Sequence, residues 1–241
     1  MSKVHAMVPA RYGSTRLRLK NLCMIDDKPM VSYAIEAAVK SGVFDRVCVN
    51  SEHEIFRKIV SRHDVDFYHR GESLGSSIAK SDDVVKDYFD NNPDADILVW
   101  VNPTSPFQTE SEIAGAVNFF INEKLDSLIT VEEKKVHCNF ENQPINYSKE
   151  GLFAQTQDLT PVNPFVYSVM MWRRSAFIKE YNEKGHALFC GSFGTYPVSK
   201  LTSLIIKDES DLMMADYLMR SRNMDNGAYE LRYDELVANE E

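Results

Sequence analysis

Short apolar runs alternate with apolar-periodic stretches along the first 130 residues. Residues 4–8 (VHAMV) form an apolar run ending at Pro9, the mark of a buried strand. Val31, Ala34, Ile35 and Ala38 recur at i, i+3, i+4 and i+7, one face of a helix, and Gly42 supplies its stop. Residues 47–49 predict a second buried strand, 52–62 a helix and 66–68 a third strand. A helix over about 80–89 ends before Asn91-Asn92-Pro93. Residues 97–101 (ILVWV) are continuously apolar, as a central parallel strand should be. A helix over 110–122 places Ile113, Ala116, Val117 and Phe120 on one face, and 127–131 follow as a strand. Repeated βα units of this kind predict an α/β domain with a mostly parallel open sheet and helices on both faces. Such sheets bind ligands outside the carboxyl ends of their strands.

The alternation breaks at residue 134. Residues 134–164 are rich in Asn, Gln and Pro yet keep Phe140, Ile145, Tyr147, Leu152 and Phe153 for packing, which predicts an inserted arm rather than a linker. Strand character returns at 166–172, helix at 174–181 and strand at 204–206. Leu212, Ala215 and Met219 mark a final core-facing helix. Beyond Asn223 the chain is polar and acidic, with Leu231 and Leu236 placed to dock a short helix. The pattern predicts one domain over 1–241, with the arm at about 134–165.

Composition narrows the function by exclusion. Thirty-six acidic against 27 basic side chains give a net charge of −9. That balance disfavours a nonspecific nucleic-acid binder, which needs clustered Lys and Arg to displace counterions. No apolar run reaches the roughly 20 residues of a membrane helix, and residues 1–5 do not resemble a signal peptide. The four cysteines are far apart with no C-x-x-C pair, which suits free thiols in a reducing cytoplasm rather than zinc or a disulfide framework. The histidines are equally scattered.

Chemistry concentrates after the first strand, in residues 8–22 (VPARYGSTRLRLKNL). Gly13 permits close backbone approach, Ser14 offers a hydroxyl, and Arg11 and Lys20 bring positive charge suited to a triphosphate. The stretch is neither a Walker A loop nor a G-x-G-x-x-G fingerprint, and on spacing alone a surface basic loop is an equal reading.

Pro9-Ala10-Arg11-x-Gly13-Ser14-x-Arg16-Leu17-x-Leu19-Lys20-Asn21-Leu22 resembles the N-terminal signature of sugar cytidylyltransferases, the acylneuraminate branch in particular. Pro29-Met30-Val31 resembles the segment opening that family's first helix. Arg70 with Leu74 resembles its RPxxL segment, residues 102–107 (NPTSPF) its QPTSPL segment, and Gln157-x-Leu159 part of RQxLP. The resemblance spans roughly residues 4–220. It implies a Rossmann-like nucleotidyltransferase fold and transfer of CMP from CTP to a sugar acid, with release of pyrophosphate, for surface polysaccharide. It further implies that Arg11 and Lys20 act in catalysis by neutralising the triphosphate. Ala10, Gly13, Ser14, Asn21, Arg70, Asn102, Thr104 and Ser105 would bind nucleotide, and Gln157 and Tyr167 would contact the sugar. The arm would make a homodimer.

Departures from the pattern fall at functional positions. The family carries D-x-D-x-x-x-D-L before its last helix, and the first two carboxylates hold Mg²⁺. Aligning Asp211-Leu212 with the final Asp-Leu puts Ile205 and Lys207 at those two positions. A lysine about 4 Å from Mg²⁺ would cost roughly 8 kcal/mol at an effective dielectric of about 20. Three readings stand: Asp208 and Asp211 serve as metal ligands after a local shift, Lys207 supplies the missing charge, or the chain no longer catalyses the reaction and binds a nucleotide or sugar. Asn102 replaces the Gln of QPTSP, Gln108 the Arg after it, and Thr156 and Thr160 the Arg and Pro of RQxLP. Residues 166–168 (VYS) stand where Asn-Gly-Ala is common, and 49–51 (VNS) replace Val-Ser-Thr at the end of the second strand. Sialic acid is therefore not carried over as the acceptor, and another acid is an open alternative.

Overall fold

The computed structural model describes residues 2–224 together with Leu231 and Tyr233. Its elements run β1 (Val4–Pro9), a small hairpin of β2 (Met24–Ile25) and β3 (Lys28–Pro29), α1 (Met30–Ser41), β4 (Arg46–Ser51), α2 (Ile55–Val60) and β5 (Asp66–His69). They continue α3 (Ser81–Asn91), β6 (Ile97–Val101), α4 (Glu110–Asn122), β7 (Ser127–Val131), β8 (Asn139–Phe140), β9 (Gln143–Pro144), β10 (Phe165–Arg173), α5 (Arg174–Lys184), β11 (Phe193–Pro197) and α6 (Glu209–Met224).

Seven strands form one sheet in the order β11-β7-β10-β6-β1-β4-β5. All neighbours are parallel except β10, which runs antiparallel to both β6 and β7. After β1 the chain builds outward through β4 and β5, then returns to place β6 on the other side of β1. That reversal makes β1 and β6 a topological switch point, with a crevice beyond their carboxyl ends.

Period-two alternation on the strands divides the core into two layers. Val4, Ala6 and Val8 of β1 face one layer with Val31, Ile35, Ile113, Val117 and Phe120 from α1 and α4. Met7 faces the other, with Val85, Tyr88, Phe89 and Phe177 from α3 and α5. A smaller cluster of Ile25, Met30, Phe107, Ile206, Ala215 and Met219 docks α6 against the rest. Helix α4 starts on a capping box: Glu112 N–H donates to Thr109 Oγ1 (3.2 Å), and Thr109 N–H donates to Glu112 Oε2 (3.1 Å).

Several expectations change. Residues 204–206 are not a strand: Ile206 N–H makes a single bond to Thr104 O (2.8 Å) and its buried side chain joins the α6 cluster instead of a ladder. The edge strand is β11, whose sequence FGTYP breaks apolar alternation with Gly and Pro. At Gly194 an added Cβ would stand 2.4 Å from Leu125 Cδ1, so the leucine side chain would have to shift to admit it. The helix expected over 52–62 begins at Ile55, because the turn before it is taken up by contacts of Glu52 and His53. In the arm, Phe140, Ile145 and Leu152 are exposed, and Phe153, exposed as well, stacks on His137 with ring centroids 4.1 Å apart. Leu231 is exposed and outside regular structure, and Leu236 lies outside the described residues.

All four cysteines are free thiols, and burial pushes those of Cys48 and Cys190 up to about 12. Among the described residues, no helix is long and apolar enough to cross a membrane.

Candidate functional site: a cation-lined cleft at the switch point

The loop after β1 is held at four places. Ala10 N–H donates to Asn50 O (2.9 Å), continuing the β1–β4 ladder by one bond. Tyr12 N–H donates to Glu52 Oε1 (2.6 Å), while the Tyr12 ring stacks on His53 with centroids 3.9 Å apart. Asn21 Nδ2 donates back to Arg11 O (3.0 Å), closing the loop on itself. Lys20 Nζ reaches across the crevice to Ile206 O (3.0 Å). Leu19 sits at φ 52°, a left-handed conformation unusual for a branched side chain. It leads into the 3-10 turn Lys20–Leu22, which turns Lys20 and Asn21 inward.

These residues form one wall of a cleft of about 330 Å³. Arg70, just past the end of β5, lines the cleft with Ser81 and Val84 of α3. Trp100 on β6 and Asn102, Pro103 and Thr104 after it form the opposite side, and 205–207 close it. Six cations line the cleft: Arg11, Arg16, Lys20, Arg70, Lys80 and Lys207. No carboxylate among the described residues lines it with them. Burial, then the fields of Arg16 and Arg11, hold the Lys20 ammonium below the usual lysine range. Lys80 precedes α3, where the helix dipole is positive and a cation is disfavoured unless an anion lies close by. Crowded cations of this kind are stabilised by a polyanionic ligand.

Arg70 is 5% exposed. Its guanidinium donates to Asn50 Oδ1 (3.1 Å) and to Glu52 Oε2 (2.8 Å), and burial lowers its pKa against the attraction of Glu52. Two buried polar atoms in the lining have no protein partner: Arg70 Nε, a donor, and Asn21 Oδ1, an acceptor. Both suit the polar edges of a bound ligand.

Of the residues expected from sequence, Arg11, Ser14, Lys20, Asn21, Arg70, Asn102 and Thr104 line this cleft together. Ala10 is buried behind it. Gly13 is not part of its lining, and a Cβ there would meet nothing within 4 Å. Asn102 shapes a turn: its Oδ1 accepts from Thr104 N–H (3.0 Å) and Oγ1 (2.9 Å), and its Nδ2 donates to Tyr167 O (3.0 Å). Ser105 is buried and donates to Thr202 O (2.8 Å), a structural contact. Gln157 and Tyr167 stand outside the lining. Gln157 is exposed in a 3-10 turn of the arm. Tyr167 adopts φ 61° at a bulge in β10, with its ring 5.9 Å from that of Phe165.

Asp208 and Asp211 cap α6. Asp208 Oδ1 accepts from the N–H groups of Ser210 (3.1 Å) and Asp211 (3.2 Å) and from Ser210 Oγ (2.7 Å). In return Asp211 Oδ2 accepts from the N–H groups of Lys207 (2.8 Å) and Asp208 (3.3 Å). This is a reciprocal capping box, and swinging either carboxylate into the cleft would break it. Among the described residues, no group of three or more His, Cys, Asp or Glu converges on a metal position. A donor set of two committed carboxylates beside Lys207 does not fit a protein-held Mg²⁺, which demands oxygen ligands in near-octahedral array.

Sequence reasoning gave no role to Lys80, Trp100, Ser81 or Val84. A lysine before a helix and apolar residues on core elements carry no motif. Only the three-dimensional convergence marks them.

Residues 5–170 match the family described as Cytidylyltransferase. Over 237 residues the chain is 28% identical to an N-acylneuraminate cytidylyltransferase of Escherichia coli O18:K1:H7, covering 92% of this chain and 53% of that protein. It is 27% identical over 165 residues to a pseudaminic acid cytidylyltransferase of Campylobacter jejuni subsp. jejuni serotype O:2, covering 64% of this chain and 71% of that protein. A solved structure of CMP:2-keto-3-deoxy-manno-octonic acid synthetase complexed with CTP superposes with a TM-score of 0.71 at 16% identity, covering 92% of this chain and 100% of that one. At that identity the likeness is one of fold. The chain spans about half the length of several curated relatives it matches. With the match running through the β1 loop, the switch point and most of the sheet, the chain belongs to the cytidylyltransferase family.

Proposed function

We propose that the cleft binds CTP and that the protein transfers CMP from it to a sugar acid, releasing pyrophosphate. The observation that carries this reading is the convergence of six cations, with no carboxylate among the described residues in the lining, at the switch point of the sheet. The E. coli and C. jejuni relatives support it, their names specifying cytidylyl transfer to acylneuraminate and pseudaminic acid. A hydroxyl oxygen of the acceptor bonds to the α-phosphorus, the bond from that phosphorus to the bridging oxygen breaks, and pyrophosphate leaves with the electron pair. The hydroxyl proton passes to solvent. Charge grows on the departing pyrophosphate, so fixed cations and positioning do most of the catalysis. Arg11 and Lys20 are placed to neutralise that charge, with Ser14 donating beside them. Asn21 Oδ1 and Arg70 Nε are free to meet the nucleotide's donors and acceptors.

Incubation with CTP, Mg²⁺ and a panel of 2-keto sugar acids should release pyrophosphate. Silence across the panel, with no CTP binding, refutes the assignment. CTP binding without pyrophosphate on any acceptor would instead favour a nucleotide-binding relative that has lost the reaction.

The exposed apolar residues of the arm, with Leu152 98% and Phe153 75% exposed, support a homodimer in which the arm packs on a second copy. Sedimentation at micromolar concentration should give a dimer. A monomer with the arm folded on its own chain overturns that part of the reading.

A further inference from the structure

The segment before α6 carries a device that the transfer reaction itself does not call for. Ile205, Ile206 and Lys207 all line the cleft. The segment is rigidly mounted. Ile206 is fully buried, its N–H is bound to Thr104 O (2.8 Å), and the N–H of Lys207 is fixed by Asp211 Oδ2 (2.8 Å). Lys20 Nζ rests on Ile206 O (3.0 Å), one residue from Lys207. The Lys20 ammonium thus reaches the backbone residue next to Lys207, and both lysines line the cleft.

We infer that Lys207, lining the cleft with Lys20, supplies the positive charge that a carboxylate-held divalent cation would otherwise bring, so that the cleft takes ionised triphosphate without a protein-bound metal. This rests on the CTP reading above. Charge accounting supports it. Two carboxylates with a divalent cation between them sum to zero, whereas Ile205 and Lys207 together carry +1. A triphosphate thus meets a protein surface no less positive than the metal-loaded alternative. Two carboxylates without the cation would repel it. An ammonium also suits the task chemically, being a compact charge with three donors for phosphate oxygens. Asp208 and Asp211 hold the backbone N–H groups that set the position of Lys207, and their fields, which raise the Lys20 pKa, act less on it than those of Arg16 and Arg11, which lower it.

Calorimetric titration with CTP, once in excess EDTA and once in Mg²⁺, tests this. The wild-type chain should bind CTP in EDTA within about threefold of its affinity in Mg²⁺. Lys207 is exposed, so Lys207→Met should fold, and it should weaken binding in EDTA by about tenfold, or about 1.4 kcal/mol. Lys207→Arg, which keeps the charge, should retain most of the affinity. The double variant Ile205→Asp with Lys207→Asp should bind CTP only when Mg²⁺ is present. Wild-type binding that requires Mg²⁺, or Lys207→Met that binds normally in EDTA, overturns the inference and leaves the CTP reading standing. No CTP binding under either condition removes both.

Discussion

Glu52 links the two halves of the cleft wall, and its removal gives the sharpest test of how the site is built. One oxygen accepts from Tyr12 N–H (2.6 Å) and the other from the Arg70 guanidinium (2.8 Å). The Arg70 and Glu52 side chains are 4% and 11% exposed, so this ion pair is nearly buried. Glu52→Ala leaves the guanidinium, among the described residues, with Asn50 Oδ1 as its remaining acceptor and the weaker field of Asp87 as its counter-charge. Breaking a buried pair from one side typically costs about 3–5 kcal/mol. Taking the lower figure, and about 2–4 °C per kcal/mol for a chain of this size, melting should fall by roughly 6–12 °C. Arg70→Ala with Glu52→Ala removes the stranded charge along with its partner. The double variant should therefore be more stable than the two single losses predict, by about 2 kcal/mol. Urea denaturation followed by tryptophan fluorescence measures all three variants. A Glu52→Ala melting temperature within about 2 °C of wild type would refute the buried-pair account, and so would losses that add to within about 0.5 kcal/mol.

Lys20→Ala should abolish measurable triphosphate binding while leaving the circular dichroism spectrum unchanged; unaltered affinity would mean that the loop does not meet the phosphates. Burial and neighbouring cations lower the Lys20 pKa in the free protein, and a bound polyanion would raise it again, so affinity for CTP should decline as pH rises through the free-state value. A titration series from neutral to alkaline pH checks this, and Lys20→Arg should flatten the decline, since arginine stays charged throughout. Asp208→Ala should lower melting by about 2 °C through loss of the cap, whereas Asp208→Asn, a good cap without charge, should leave both melting and CTP affinity unchanged. A collapse of CTP affinity in Asp208→Asn would show that the carboxylate faces the nucleotide after all.

The site was most legible where its chemistry is local. Arg11, Ser14, Lys20 and Asn21 lie in one loop whose sequence already sets charge and turn, and the fold brings them into one lining with Arg70, Asn102 and Thr104. Asn102 and Ser105 share one stretch yet play different parts. Hydrogen bonds that depend on Tyr167 and Thr202 decide which faces the cleft and which braces it. Strand direction was hidden too. Residues 166–172 carry strand character whichever way they run, and only pairing with β6 and β7 makes β10 antiparallel. β11 escaped notice because its place rests on packing of Gly194 against Leu125, while 204–206 mimicked a strand because Ile206 is apolar for a different partner. The roles of Asp208 and Asp211 could be assigned only with the reciprocal bonds in view, since metal ligands and helix caps draw on the same residue types.

The bond from Lys20 to Ile206 O spans 186 positions of sequence. A polypeptide emerging from the ribosome presents its β1 loop first, and the backbone that loop grips follows only 186 residues later. On the CTP reading, capacity for the triphosphate depends on closure of that long-range contact rather than on any local segment. Until then the cationic loop is exposed without its binding partner. On the same reading, nucleotide binding by the refolding chain would report docking of the segment before α6 onto the β1 loop.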